Sequence, residues 1–186
     1  TTSARLTRVG TAPPLLLQGQ RFGLDFNPAA DRLRLVSDTG QNLRLHPDTG
    51  ALAVIDPNLQ RTRPHTGGSP WVVVGAAYTY NKRDDKLTTN YAIDIANGWL
   101  LTQGSREGVQ PVVSPNTGQL AVVGELGTGA LEDAAFDIAD THNAALAALR
   151  RGGSTRLNGV DLDTGRATLL GTVGDGRALW GMAIAP

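Results

Sequence analysis

Apolar and polar positions along this chain alternate in short runs, and turn-forming residues close each run before a helical period can build up. One run recurs as a strand rich in small residues: Gly23–Asn27, Gly75–Thr79, Asp133–Asp137 and Gly181–Ala185. A second run follows an Asx-Thr-Gly turn, as Ala51–Ile55 after Asp48-Thr49-Gly50, Gln119–Val123 after Asn116-Thr117-Gly118, and Arg166–Leu170 after Asp163-Thr164-Gly165. Asx side chains bond their own backbone in tight turns, and glycine takes the positive φ that closes them. Arg5–Val9, followed by Gly10, reads as a fourth copy of this second strand without its turn.

Between the two markers lie further strands. The first unit offers Arg32–Val36 and Asn42–Leu45, the second Thr89–Ile95 and Trp99–Gln103, the third Ala144–Leu149 and Thr155–Leu162. Four strands per unit, recurring roughly every fifty residues, match the blade spacing of β-propellers, and small residues suit the crowded innermost strand. The expectation is an all-β, single-domain β-propeller of four to five blades, with repeat units at about 22–56, 72–126 and 131–171. Segments 1–10 and 178–186 would share a terminal blade whose middle strands are missing. A β-sandwich is the alternative, but it leaves the fixed order of the two strand types without a reason. Ala134–Arg150 is alanine-rich enough to imitate a helix, yet Asp140-Thr141-His142-Asn143 in its middle predicts a hairpin.

Composition narrows the function. Seventeen basic and seventeen acidic residues balance, so no net field steers the chain toward nucleic acid or anionic membrane. Cysteine is absent, which removes disulfides, thiolate metal sites and thiol nucleophiles and fits an oxidising, extracytoplasmic location. No apolar run reaches membrane-spanning length. Thr1–Ala4 is neither a signal peptide nor an initiator methionine and reads as a processed or trimmed start.

From Phe22 to Ala51, and again at Val74–Thr79, Thr89–Thr102, Ala134–Asp137 and Leu179–Ala183, the sequence resembles a bacterial family known as domain of unknown function 4394. That resemblance implies an exported, propeller-like domain and supplies no catalytic residues. It also implies an additional unit upstream of Thr1, which would supply the missing strands. His46 stands where the family pattern has asparagine before Pro47.

Candidate chemistry is sparse. Asp25, Asp31 and Asp137 fall on or just after the small-residue strands, where carboxylates could line an axial channel and hold a cation such as calcium. They match no calcium-loop spacing, and capping roles in turns explain them as well. His46, His142 and His65 are the only histidines, so a copper or zinc site would need them. His46 and His142 lie in connections on one face of the repeat, whereas His65 sits in the long loop Asp56–Trp71 that starts from the other. Two readings follow: an envelope assembly or binding module, completed by a protein partner or the missing upstream segment, or a histidine-ligated copper enzyme of superoxide dismutase type. Trp71, Trp99 and Trp180 are expected to pack between blades.

Overall fold

The computed structural model describes residues 5, 7–62 and 69–185. The first sheet is a meander of β1 (Phe22–Asn27), β2 (Arg32–Ser37), β3 (Asn42–Leu45) and β4 (Leu52–Ile55). The second contains β5 (Gln60–Arg61), β6 (Val73–Tyr78), β7 (Asn90–Asp94), β8 (Trp99–Gln103) and β9 (Gln119–Glu125), in the order β5-β9-β8-β7-β6. The third is a meander of β10 (Asp133–Ile138), β11 (Ala145–Arg151), β12 (Ser154–Val160) and β13 (Ala167–Thr172). Every pairing is antiparallel except β5 with β9, where part of the long loop lies along an otherwise open edge. The alanine-rich stretch is the β10–β11 hairpin, because its turn residues outweigh alanine's helix propensity.

Much of the regularity comes from one turn. Between β3 and β4 the His46 N–H donates to the Ala51 carbonyl and the Gly50 N–H to the His46 carbonyl. Both bonds recur between β10 and β11, from Ala139 to Ala144 and from Asn143 to Ala139. They recur again between β12 and β13, from Asp161 to Arg166 and from Gly165 to Asp161. The residue that closes each turn is left-handed, with φ of 67° at Gly50, 56° at Asn143 and 82° at Gly165. Glycine and asparagine are the residues that take this conformation most cheaply.

The three sheets stack in sequence order. β6 and β7 are buried along their whole length, so the second sheet is the central layer. Against the first sheet it packs Val73, Ala76, Ala92, Leu101 and Leu120 around Val36. Against the third it packs Val74, Ile93 and Leu100 around Phe136, Ala147 and Leu149. Burial of a side chain such as Ile93 or Leu100, both fully inaccessible, contributes about 2 kcal/mol each. The leading strands converge: β1 packs on β6, and β6 on β10. Gly23 permits this approach, since a Cβ there would stand 2.6 Å from the Ala76 nitrogen. The far face of the first sheet, with Leu35, Leu43 and Leu45, is partly covered by Leu15 from the N-terminal segment.

The described residues therefore form an all-β chain of three open sheets, an arrangement that an open ring of blades and a layered sandwich share. The expected strands of the fourth unit do not form: residues 7–10 and 178–185 carry no regular strand. Instead, Gly10 lies against the Thr49 carbonyl at the β3–β4 turn. At the other end the Ile184 N–H donates to the Asp137 carboxylate at 2.6 Å, which holds the C-terminal segment beside β10.

Candidate functional site

A cavity of about 650 Å³ opens where the leading strands converge. Its walls are β1, β6 with the adjoining Tyr80, β10 with Asp140 just beyond it, and the segment from Trp180 to Ile184. These are the four copies of the small-residue run. The fourth position of each run is bulky, as Phe26, Tyr78, Phe136 and Ile184, and all four side chains belong to the wall. Small residues between them, such as Gly75, Ala134 and Gly181, leave the space open.

Two of the aspartates singled out by sequence, Asp25 and Asp137, reach this cavity. Each clasps the next segment around it. Asp25 accepts the Tyr78 N–H through Oδ2 at 2.6 Å and the Phe26 N–H through Oδ1 at 2.7 Å. Asp137 accepts the Ile184 N–H through Oδ2, and its Oδ1 takes no hydrogen bond from the described residues. Burial raises the Asp25 carboxyl to about 7; the two backbone hydrogen bonds oppose the rise and the Asp137 charge adds to it. Near neutral pH this group is poised between its charged and uncharged forms.

The third aspartate lies elsewhere. Asp31 takes a left-handed φ of 46° immediately before β2, so it serves the β1–β2 turn rather than the channel. His46 and His142 both belong to the recurring turn, on the first and the third sheet respectively. His46 occupies the slot that Asp161 fills in the last sheet, where the aspartate side chain accepts the Asp163 and Thr164 N–H groups. His142 is exposed, with Nδ1 2.6 Å from the Thr141 hydroxyl. His65 lies outside the described residues, and among the described residues no three histidine, aspartate or glutamate side chains gather as metal ligands.

A second polar cluster, with no signature in the alternation or the motifs, is buried between the first two sheets. The Arg34 guanidinium donates to the Tyr78 hydroxyl at 2.6 Å, to Asn42 at 2.5 Å, to Asp56 at 3.1 Å and to Asn116 at 2.5 Å. Asp56 also takes both donors of Arg44 at 2.9 Å. Arg34 and Asp56 are nearly inaccessible, at 1% and 3% side-chain exposure. Such a cluster holds only because every member is bonded; its place is to lock β2, β3 and the loop after β4 onto β6 and the turn before β9.

The tryptophans divide. Trp71 and Trp99 pack edge to face at 6.3 Å on the core between the first two sheets, with Arg61 stacked over Trp71. Trp180 does not pack between sheets: it is 89% exposed at the cavity wall, because the C-terminal segment forms no strand that would draw it inward. Sequence reasoning missed the aromatic wall, although a bulky residue at the same position of each small-residue run was legible. Among the described residues no helix is long and apolar enough to cross a membrane.

Neither the curated proteins nor the solved structures yield a match. A family match spans residues 1–183 and therefore nearly the whole chain: the protein belongs to the family described as domain of unknown function DUF4394.

Proposed function

We propose that this chain is an extracytoplasmic binding module of propeller type, with the cavity between its four small-residue segments as the ligand site. One observation carries the reading. All four copies of a repeated sequence element line a single cavity, and its size falls in the range of small-molecule pockets, about 300–1,000 Å³. A sandwich gives no reason for the four copies to meet. Among the described residues, polar groups in the wall are few, with three aspartates and two tyrosines and no histidine or serine, which favours binding over nucleophilic catalysis. The absence of cysteine and the family resemblance support export to the cell envelope or beyond.

The test is thermal stabilisation of the whole chain by a panel of cationic, anionic and uncharged small molecules. Stabilisation by at least one class is expected, and it should vanish in Gly181→Trp. A Cβ at Gly181 meets nothing within 4 Å, so a bulky side chain can start from this point of the wall and should occupy the cavity. If no class stabilises the chain, or if Gly181→Trp leaves the stabilisation intact, the module reading fails.

A further inference from the structure

We infer that the cavity selects an organic ammonium ion, a primary or quaternary amine held between its carboxylates and its aromatic wall. The inference rests on the binding-module reading and adds the class of ligand.

Among the described residues the wall contains no lysine, arginine or histidine, but it contains Asp25, Asp137 and Asp140. Six of the chain's nine aromatic residues also line it, so aromatic rings are concentrated here far beyond chance. Ring faces attract a cation that has shed its water, and they do so best when the cation carries apolar substituents. A hard metal ion suits the site poorly. Asp25 has both oxygens engaged by backbone N–H groups, Asp137 has one engaged, and the aromatic wall offers few oxygen ligands. Anions meet only negative charge. A neutral apolar ligand would leave the Asp137 charge uncompensated in a partly dry pocket.

The groups around Asp25 leave its charge unmatched. Arg34 stands opposite it across the β1–β2 pair, but its guanidinium is bonded to Tyr78, Asn42, Asp56 and Asn116. Arg32 donates to the Asp31 carbonyl, and Arg177, which leads into the C-terminal segment, pairs with Asp175. On β6 the neighbour is Tyr78, whose hydroxyl burial holds protonated, and on β10 it is Asp137. A bound ammonium ion would supply the missing positive charge. It would also displace the proton from Asp25, so proton and ligand compete.

Titration calorimetry of the whole chain with choline, its uncharged isostere 3,3-dimethylbutan-1-ol, and calcium chloride tests this. Choline should bind, and the isostere and calcium should not. Choline affinity should rise about tenfold between about pH 6 and about pH 8, as Asp25 ionises around pH 7. Asp25→Asn should remove that pH dependence and weaken choline by about tenfold, with the fold checked by circular dichroism. Trp180→Ala, at a position where the side chain is almost wholly exposed, should weaken choline by roughly two- to thirty-fold. Equal binding of the isostere, preference for calcium, or no choline binding by the folded chain overturns the ammonium inference. In the first case, or where only uncharged molecules stabilise the chain and Gly181→Trp abolishes that effect, the module reading stands and the ligand class alone is wrong.

Discussion

At Asp25 a carboxyl sits in a partly dry cavity beside a second carboxylate, with its two backbone donors too weak to hold it in the usual carboxylate range. Its folded value of about 7 exceeds the ordinary carboxyl value of 3.8, so between these limits the folded chain binds more protons than the unfolded one. Stability from this group is thus greatest at low pH and falls as pH rises toward 7, by an amount on the order of a few kcal/mol. Chemical denaturation of the wild-type chain across that window should show the decline, and Asp25→Asn should flatten it. A wild-type profile that instead rises from pH 4 to pH 7 in this window, with the same slope in the variant, would place the titration elsewhere. The position of Asp25 and Asp137 was legible in the sequence, because the small-residue runs are distinct. Their surroundings were not, since burial and the Asp25–Asp137 interaction depend on strands far apart in the chain. The histidines show the converse. Rarity made His46 and His142 conspicuous, yet each sits in a turn whose bonds run through the backbone, and no spacing rule reports that.

Elements were the most readable level. Three of the four small-residue runs and all three turn-led runs became strands close to where alternation placed them. The fourth small-residue run, Gly181–Ala185, kept its place beside the cavity but made no ladder; its Ile184 N–H goes to the Asp137 side chain instead of to a strand backbone. What alternation did not reveal is how closely β1 and β6 approach. Gly23→Ala puts a methyl group against backbone atoms of Gly75 and Ala76 that cannot swing aside, so a loss of about 1–3 kcal/mol is expected. Gly159→Ala on β12 provides the contrast, with nothing within 4 Å of the added carbon. That change should be neutral or should stabilise by about 0.4–1 kcal/mol, through the entropy of the unfolded chain. Urea titrations of the two variants read the difference directly; equal losses would mean that β1 and β6 are further apart than described.

Across the whole molecule, the sheets are joined by two unlike materials. Apolar burial joins the second and third sheets, while the first is attached through a mixed interface whose centre is the Arg34–Asp56–Arg44 cluster. Hydrophobic joints tolerate changes of shape better than ionic ones tolerate loss of a partner, because a buried charge left alone keeps its full desolvation cost. Asp56 is the only carboxylate in the cluster and answers two guanidinium groups, one of them almost wholly inaccessible. Asp56→Ala should therefore cost about 3–5 kcal/mol, much more than a surface ion pair such as Arg177–Asp175, whose removal should cost less than about 1 kcal/mol. The loss should also be local at first. Hydrogen exchange in Asp56→Ala should accelerate in β1–β4 before it accelerates in β7, β8 and β11, since the joint between the second and third sheets does not involve the cluster. Uniform acceleration across all three sheets would show instead that the chain unfolds as one cooperative unit and that the ionic joint is not its weak seam.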